Sequence, residues 1–210
     1  GVTAAGKDTV LRKLIESDDY HHIVSHTTRA PRENHGIPEQ DGLDYHFIDL
    51  GTAEAMLDNG GYVEAKLVHG NVYGTSVAEI QMAHDENKIA ITDIEVRGVS
   101  EYMAVANTVI PIFLLPPDFE TWQQRLAGRY DGKINPVDMK RRLETARDEL
   151  TEVLQKPYFE FIVNDDLAKT VKIADAVAHG NFSREKNAQA KIIAQSLLED
   201  LDRYLLQSNQ

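Results

Sequence analysis

The first nine residues, Gly-Val-Thr-Ala-Ala-Gly-Lys-Asp-Thr, have the composition and spacing of a loop that binds phosphate. Gly1 and Gly6 are five positions apart, and Lys7 follows directly, giving G-x-x-x-x-G-K. Small residues let successive backbone N–H groups turn toward one point, and the lysine reaches the β- and γ-phosphates. A helix that follows directs its positive end at the same anion. The spacing therefore predicts a loop for a nucleoside triphosphate.

Two features depart from the complete pattern. A Ser or Thr that serves Mg²⁺ normally follows the lysine, whereas here Asp8 comes first and Thr9 second. Such a loop also normally follows an apolar strand, and the sequence starts at Gly1, so either that strand lies upstream or the loop has none beneath it. The alternative interpretation is a Gly-rich N-terminal cap on a helix that runs to about Ile15.

Two arginines around a proline form a second candidate phosphate site. The segment Ser-His-Thr-Thr-Arg-Ala-Pro-Arg spans residues 25–32 and places Arg29 and Arg32 three positions apart. Because Pro31 stiffens the turn, both guanidinium groups can face one ligand, and each matches phosphate oxygens in a bidentate geometry. A surface turn with two solvated arginines is the alternative.

An apolar run at residues 88–94 ends in Asp93-Ile-Glu95, which predicts a buried parallel strand with carboxylates at its C-terminal end. Ligands of open α/β sheets collect at the carboxyl ends of such strands. Asp93 is therefore a candidate for organising Mg²⁺, directly or through water, while Asp93 and Glu95 could instead cap a helix over 96–106. Polar side chains on three shorter predicted strands, Tyr45, Glu64, Tyr73 and Thr75, are each more often structural than functional when taken alone.

Two predicted helices, 118–129 and 135–155, are joined by a short loop. Four arginines lie near their junction: Arg125, Arg129, Arg141 and Arg142. This arrangement is typical of a mobile lid that grips phosphate. The alternative is a pair of solvated helix faces whose arginines pair with Glu144 and Asp148.

The composition limits the class of protein. The 210 residues include 22 Lys and Arg against 34 Asp and Glu, a net charge of −12, which argues against binding to nucleic acid or to an anionic membrane. The absence of cysteine excludes disulfides and Cys-based metal sites. No apolar run in the sequence is long enough to span a bilayer, so we expect a cytoplasmic protein.

A last helix is predicted over 183–206, with an apolar stripe at helical spacing. The stripe consists of Ala190, Ile193, Ala194, Leu197, Leu198, Leu201 and Leu205. Such a stripe needs a partner surface, either on its own domain or on a second copy in a homodimer.

The order of these features is that of a nucleoside monophosphate kinase, and residues 1–179 resemble guanylate kinase. The matching segments are G-V-T-A-A-G-K-D-T, S-H-T-T-R-A-P-R, G-L-D-Y-H-F, V-Y-G-T, D-I-E-V-R-G, Q-R-L-A-G-R, K-R-R-L and I-V-N-D-D. The resemblance implies a P-loop α/β fold, a three-layer sandwich with a central parallel sheet. It also implies a core (1–30, 77–124 and 143–179), a small mixed-β GMP-binding subdomain (31–76), a helical lid (125–142) and a helical extension (180–210).

The resemblance further implies roles for individual residues in the transfer of a phosphoryl group from ATP to GMP or dGMP. The GMP phosphate would be held by Ser25, Arg29, Arg32, Tyr45 and Tyr73, and the guanine read by Glu64 and Thr75 with help from Glu95. ATP would be held by Gly1, Ala4, Ala5, Gly6, Lys7, Asp8, Thr9, Arg125 and Asn164. Mg²⁺ would lie near Asp8, Thr9 and Asp93, and the catalytic set would be Lys7, Arg29, Asp93, Arg129 and Arg142.

The sequence departs from the family pattern in places. Ala4 and Ala5 stand where glycine is frequent, Asp8 replaces the usual Ser, and Glu95 stands where Asp is more frequent. Two other functions stay open: a kinase like the ribose 1,5-bisphosphate phosphokinases, and a non-catalytic guanylate-kinase-like domain that binds phosphopeptides. The intact T-T-R-A-P-R and V-Y-G-T segments favour a nucleotide acceptor, and Lys7 with the lid arginines favours an enzyme.

Overall fold

The computed structural model describes residues 1–34, 37–106, 108–129 and 134–207. In chain order the helices are α1 Lys7–Leu14, α2 Leu50–Asp58, α3 Val77–Asp85, α4 Val99–Val105, α5 Phe119–Arg129, α6 Pro136–Leu154, α7 Leu167–Ala178 and α8 Arg184–Gln207. The strands are β1 Tyr20–His22, β2 His26–Thr27, β3 Glu33–Asn34, β4 Ile37–Pro38, β5 His46–Phe47, β6 Tyr62–Val68, β7 Asn71–Ser76, β8 Ile89–Ile91, β9 Ile112–Leu115 and β10 Glu160–Val163. The alternation of helices and strands gives an α/β protein.

The chain forms two compact units, Gly1–Leu14 with Ile110–Gln210, and Ile15–Val109. In the first unit, β9 and β10 pair in parallel, with Ile112 opposite Glu160 and Leu115 opposite Val163. The core of this unit includes the fully buried side chains of Trp122 and Leu150. It carries the predicted phosphate-binding loop at its N-terminus.

Helix α6 begins as its local sequence predicts. The side chain of Asn135 caps the helix by accepting a hydrogen bond from the backbone N–H of Asp138 at 2.8 Å. Pro136 occupies the first turn, where its missing N–H leaves no intrahelical bond unmade. Residues 130–133, which belong to the predicted lid, lie outside the described part of the chain.

The C-terminal helix α8 covers its apolar stripe within the same unit, on α6 and β10. The buried members of the stripe are Ala190, Ala194, Leu197, Leu201 and Leu205. The side chain of Asn187 also accepts a hydrogen bond from the backbone N–H of Phe161 in β10 at 2.9 Å. The stripe therefore has its partner inside the chain, and it no longer argues for a homodimer.

In the second unit, β1 pairs in parallel with β8, and a separate mixed sheet has the strand order β5-β2-β7-β6. The predicted hairpin is confirmed as β6 and β7, which meet with Val68 opposite Asn71. Its two turn residues, His69 and Gly70, have φ values of +49° and +80°. Positive φ at both positions suits the twist of the flanking strands.

Three predicted elements differ from the observed ones. The predicted buried strand 88–94 is the shorter β8, and Ala90 at its centre is exposed. The predicted strand 108–115 is reduced to β9, and the predicted helix 96–106 begins as a 3₁₀ turn, Val96–Gly98, before α4. β8 and β9 are short because a parallel pair of strands extends only as far as both partners do. β1, which pairs with β8, has three residues, and β10, which pairs with β9, has four.

Among the described residues, no helix combines the length and the apolar character needed to cross a membrane.

Truncation inside the α8 stripe should destabilise the protein strongly. Leu201 is fully buried, so Leu201→Ala removes buried methyl groups and leaves a cavity, at a cost of about 2–5 kcal/mol. Urea unfolding followed by circular dichroism measures this cost. The matched control is Leu206→Ala, five positions along the same helix, where the side chain is 70% exposed. Equal losses in the two variants would contradict the packing of α8 described above.

Candidate active site

The N-terminal loop has a backbone that its small residues permit. Gly6, directly before α1, has a φ of +91°, and a Cβ there would collide with the side-chain amide of Asn164. Ala4 has a φ of +59°, a left-handed conformation that costs an L-residue about 1–2 kcal/mol. Glycine at position 4 would avoid that cost. The loop therefore keeps the shape of a glycine-rich turn although alanine occupies one of its turning points.

Side chains from the same unit bond to the carbonyl groups of this loop. The Lys7 ammonium donates to the carbonyl of Gly1 at 2.9 Å, which holds the charge beside the loop. The indole N–H of Trp122 donates to the carbonyl of Thr3 at 2.8 Å. Because Trp122 is itself fully buried, this bond ties the loop to the core.

Asn164, at the end of β10, connects the loop to α5. Its amide donates to the carbonyl of Ala5 at 2.8 Å, and its own backbone carbonyl accepts from the guanidinium of Arg125 at 2.8 Å. Asn164 is 7% exposed, so these bonds form in a largely dry environment. The structure thus brings together two residues, Asn164 and Arg125, that lie far from the loop in sequence.

Other candidate residues of this unit lie on its surface. Asp8 and Thr9 are exposed in the first turn of α1, where a carboxylate is favoured by the helix dipole. Arg129, at the end of α5, and Arg142, on α6, are also exposed. The structure therefore bonds Arg125 to Asn164, which itself contacts the loop, whereas Arg129 and Arg142 lie on solvent-facing surfaces.

In the second unit, Arg29 is the centre of a cluster of aromatic and acidic groups. Its Nε donates to the Tyr73 hydroxyl at 3.0 Å, and its guanidinium lies over the Tyr45 ring, 5.4 Å from the centroid. Glu39 bonds the same guanidinium at 2.8 Å and 3.0 Å. Hydrogen bonding to Glu39 raises the pKa of Arg29, so the 8%-exposed side chain stays charged. Arg32 is exposed at the edge of this cluster.

A polar pair follows on the facing strands of the hairpin. The Thr75 hydroxyl donates to a carboxylate oxygen of Glu64 at 3.3 Å, and the Ser25 hydroxyl lies 3.4 Å from the Thr75 hydroxyl. Burial raises the pKa of Glu64, an effect that the neighbouring Lys66 opposes. A half-buried carboxylate with a raised pKa, next to hydroxyl groups, is a candidate for recognising a ligand that donates hydrogen bonds.

The two acids that follow β8 are exposed. Glu95 occupies the N-cap position of the 3₁₀ turn and makes no side-chain cap hydrogen bond. Asp93 is likewise exposed. The interpretation of these residues as a pair of helix caps is therefore wrong for Glu95.

Residues 1–179 match the family model described as guanylate kinase. The chain belongs to the guanylate kinase family. It is 38% identical over 181 residues to the guanylate kinase of Schizosaccharomyces pombe, with 84% of this chain and 86% of that protein covered. It is 39% identical over 170 residues to guanylate kinase 1 of Oryza sativa subsp. japonica, where the match covers 80% of this chain and 43% of that protein.

A solved structure also resembles the chain. The crystal structure of guanylate kinase from Anaplasma phagocytophilum superimposes with a TM-score of 0.60 and 26% sequence identity, covering 85% of this chain and 84% of that one. The resemblance to guanylate kinase inferred from the motifs is thereby confirmed. The C-terminal helix α8 lies beyond the residues that the family model matches.

Glu39 is a site residue that sequence reasoning missed. It lies in a segment that reads as a polar loop, yet its carboxylate bonds both the Arg29 guanidinium and the backbone N–H of Arg32, the latter at 2.7 Å. The guanidinium holds the pKa of Glu39 below its usual value. The one signal in the sequence was an acidic residue seven positions after Arg32. The sequence could not show that the folded chain brings Glu39 back to Arg29 and Arg32.

Glu79 on α3 is a second residue that sequence reasoning missed, and its carboxylate bonds the residues next to Ser25 and Tyr45. The sequence Ser76-x-x-Glu79 is a capping box, and the Ser76 hydroxyl does accept from the Glu79 backbone N–H at 3.2 Å. The Glu79 carboxylate instead accepts from the backbone N–H of Val24 at 3.0 Å and bonds the His46 ring at 3.0 Å. One buried carboxylate thereby joins α3 to the end of β1 and to β5.

Removing this carboxylate should destabilise the protein. Glu79→Ala leaves the buried N–H of Val24 without an acceptor, and hydrogen bonds to charged groups contribute about 1.5–3 kcal/mol. Burial alone would raise the pKa of Glu79, but the bonds from Val24 and His46 hold it below 4.5. The carboxylate's contribution is therefore present above the unfolded pKa and is lost as pH falls through the lowered folded pKa.

Thermal unfolding of wild type and Glu79→Ala between pH 3 and 8 measures this contribution. The difference in melting temperature should be full at neutral pH and shrink in acid. Glu86→Ala is the matched control. The Glu79 carboxylate lies 3.6 Å from the His21 ring, and Glu86 contacts the same ring but is exposed. A difference that stayed constant down to pH 3, or an equal loss in the control, would contradict the role assigned to Glu79.

Proposed function

We propose that this protein transfers the γ-phosphoryl group of ATP to GMP, and to dGMP, giving ADP and GDP or dGDP. The observation that carries the proposal is the buried, permanently charged Arg29, which is held by Tyr73 and Glu39 in the same unit as the Glu64–Thr75 pair. A phosphate site and a base-reading carboxylate on one small sheet are what a nucleoside monophosphate requires. Membership of the guanylate kinase family supports the same activity.

In this proposal the GMP phosphate binds to Arg29 and Arg32, with the hydroxyl groups of Tyr45, Tyr73 and Ser25. Burial raises the pKa of Tyr45, so its hydroxyl stays protonated at neutral pH and can donate to a phosphate oxygen. Glu39 neutralises part of the positive charge and holds the guanidinium in one orientation. A guanidinium group that is already held in one orientation loses less conformational entropy when the phosphate binds.

The guanine is recognised by its two adjacent donors, N1–H and the exocyclic amine. The Glu64 carboxylate accepts both, with Thr75 beside it and Glu95 assisting. Adenine presents a lone pair at N1, which would face the carboxylate and leave a charge unpaired, so AMP is rejected by several orders of magnitude. No group in this proposal contacts the 2′-hydroxyl of the ribose, and dGMP is therefore accepted.

The donor ATP binds to the N-terminal loop, Gly1–Thr9. Gly1, Ala4, Ala5 and Gly6 offer backbone groups to the phosphates, and Lys7 offers its charge. Arg125 closes over the transferring phosphoryl group, and Asn164 lies near the adenine. We further propose that the units belong to a P-loop three-layer sandwich with a central parallel sheet. Its core would be 1–30, 77–124 and 143–179, with a GMP-binding subdomain 31–76, a lid 125–142 and an extension 180–210.

Mg²⁺ fits the residues available near the donor. Asp8 and Thr9 present exposed side-chain oxygens, the ligands that a hard cation prefers, and Asp93 is a third candidate, directly or through water. No cluster of three or more His, Cys, Asp or Glu side chains suited to a metal occurs among the described residues. When bound, Mg²⁺ neutralises negative charge on the ATP phosphates.

Catalysis then consists of positioning and charge neutralisation. The GMP phosphate oxygen is already a competent nucleophile, so no general base is required. Lys7, with Arg129 and Arg142 of the lid, stabilises charge on the transferring group, while Arg29 and Asp93 orient acceptor and donor. Closure of the lid excludes water, which would otherwise hydrolyse ATP. We place this chemistry in the cytoplasm, with small nucleotides rather than nucleic acid or membrane as partners.

A coupled assay of ADP release tests the proposed activity. Wild-type protein with ATP and Mg²⁺ should turn over GMP and dGMP rapidly and AMP, UMP and ribose 1,5-bisphosphate slowly. Turnover confined to ribose 1,5-bisphosphate would instead show a sugar-phosphate kinase. Binding of GMP without any ADP release would show a non-catalytic domain.

Replacing Lys7 should abolish transfer and leave the acceptor site intact. Lys7→Ala removes one preorganised charge from the donor phosphates, so kcat should fall about 100- to 1,000-fold or more. Calorimetry should find the affinity for GMP unchanged. Arg12→Ala, an exposed cation later on α1, serves as the control and should retain activity. A loss of GMP affinity in Lys7→Ala would show that the lysine does not act on the donor alone.

Replacing Glu64 should affect GMP selectively. Glu64→Ala removes the acceptor for both guanine donors, so the KM for GMP should rise far more than the KM for ATP, and the preference for GMP over AMP should narrow. Glu54→Ala, an exposed acid on α2, is the control. If the KM values for both nucleotides rose equally, Glu64 would only support the fold.

A further inference from the structure

Lys66 is a half-buried lysine on β6, two positions after Glu64. Within the described part of the chain, its ammonium forms no hydrogen bond and no ion pair, with Glu64 or with any other residue. A lysine that is partly withdrawn from water usually keeps its charge in solvent or pairs it with an acid. The position of this ammonium is therefore of interest.

The Lys66 ammonium lies against the 3₁₀ turn Val96–Gly98. A Cβ at Gly98 would come within 3.1 Å of the Lys66 Nζ and within 2.8 Å of the Ile94 side chain. The φ of Gly98 is −78°, which any residue adopts, so the absent side chain serves to leave room rather than to permit a turn. Because Gly98 is buried, the ammonium reaches an enclosed part of the turn and not open solvent.

Strand geometry places Lys66 on the face that carries the Glu64–Thr75 pair. β6 is regular from Glu64 onward, and residues two apart on a strand point to the same face. Across the hairpin, Lys66 is opposite Tyr73, just as Glu64 is opposite Thr75. The Tyr73 hydroxyl on this face accepts from Arg29. Lys66 therefore shares a surface with the groups proposed to bind the base and the phosphate.

The same lysine connects the two acids of the proposed guanine site. Glu95 begins the turn that the ammonium contacts, and its carbonyl accepts from the N–H of Gly98 at 2.9 Å. Helix α4, which follows the turn, packs on β6. Lys66 thus extends from the strand of Glu64 to the turn of Glu95.

Guanine requires a hydrogen-bond donor from the protein as well as acceptors. Its carbonyl oxygen O6 is an acceptor, and it lies beside the N1–H that Glu64 is proposed to bind. The Thr75 hydroxyl has one donor and uses it on Glu64 at 3.3 Å. A lysine ammonium has three donors, and a cation that donates to O6 is a frequent means of recognising guanine.

We propose that Lys66 is a specificity-determining residue that donates a hydrogen bond to O6 of the guanine, while Glu64 accepts from N1–H and the exocyclic amine. The inference rests on the proposed function and completes the recognition of the base edge. It also adds a second reason for the rejection of AMP. Adenine has an amine at the position of O6, so two donors would face each other.

Lys66→Met tests the contact, because methionine keeps an unbranched stem and removes the charge. Hydrogen bonds to charged groups are among the stronger ones in proteins, so the Kd and KM for GMP should rise about 10- to 100-fold. The KM for ATP should change little, and the preference for GMP over AMP should narrow. Calorimetry and steady-state kinetics on the full chain give these values.

Lys88→Met is the matched control. Lys88 is also half-buried and lies in the same unit, but its ammonium is paired with Glu86 at 3.2 Å. The two variants lose the same charge, so a general electrostatic effect on the anionic nucleotide would weaken GMP equally in both. The proposal predicts wild-type affinity for GMP in Lys88→Met.

The pH separates contact with O6 from an action through Glu64. Burial raises the pKa of Glu64, Lys66 and Thr75 lower it, and Glu101 raises it. Removal of the lysine therefore raises the pKa of Glu64 and moves the acid limb of GMP binding to higher pH. That indirect effect disappears at pH 8, where the carboxylate is ionised in both proteins, whereas loss of a contact with O6 persists.

Two analogues locate the contact on the base. 6-Thioguanosine monophosphate keeps N1–H and the exocyclic amine but has sulfur, a weak acceptor, in place of O6. Inosine monophosphate keeps O6 and lacks the amine. Lys66→Met should weaken GMP and inosine monophosphate by the same factor and the sulfur analogue much less.

The outcomes distinguish the inference from the proposed function. Equal weakening of GMP and its sulfur analogue, or a loss of affinity that vanishes at pH 8, would overturn the contact with O6. Unchanged GMP affinity in Lys66→Met would show an ammonium that is merely solvated, while wild-type GMP binding stands. Wild-type protein that binds no GMP would overturn the proposed function itself.

Discussion

The cluster of side chains around Arg29 in this guanylate kinase family member depends on a buried positive charge. Arg29 is almost fully enclosed, and a guanidinium can be buried only if its charge and its N–H groups are met. Glu39 supplies the charge, Tyr73 accepts one N–H, and the Tyr45 ring covers the guanidinium face. Loss of one partner from a buried ion pair costs about 3–5 kcal/mol, because the other charge remains. The need to neutralise and hydrogen-bond the buried Arg29 guanidinium therefore determines how the residues around it are arranged.

The same region is also held in place by a buried carboxylate on a neighbouring helix. Glu79 joins α3 to the end of β1 and to β5 through a single carboxylate. The residues that it steadies lie one position from Ser25 and from Tyr45. The strands of this small sheet have only two to seven residues, so buried hydrogen bonds of this kind add rigidity to that of its apolar contacts.

The N-terminal loop, residues 1–9, meets a different constraint, which is close packing of its backbone against neighbouring groups. Gly1 lies so near β9 that a Cβ would come within 2.5 Å of the Leu114 carbonyl oxygen, and Gly6 is confined by Asn164. The carbonyl groups of the loop are bonded by Lys7, Trp122 and Asn164. These contacts hold the loop in a compact turn even though Ala4 adopts a left-handed conformation. Helix α8, packed on α6 and β10, adds buried apolar surface to the unit that supports this loop.

The sequence by itself determined the features that depend on a few neighbouring residues. The spacing of Gly1, Gly6 and Lys7, the Asn135 cap with Pro136, and the turn between β6 and β7 are local, and backbone sterics decide them. Several such motifs in one register also sufficed to indicate the family. Tertiary structure alone decided which surface covers the α8 stripe, because periodicity defines an apolar face without naming its partner. It also decided that Glu39 pairs with Arg29, and that the Glu79 carboxylate bonds Val24 rather than the start of its own helix. A polar side chain far away in sequence finds such a partner only when packing brings both together and excludes the water that would otherwise satisfy them.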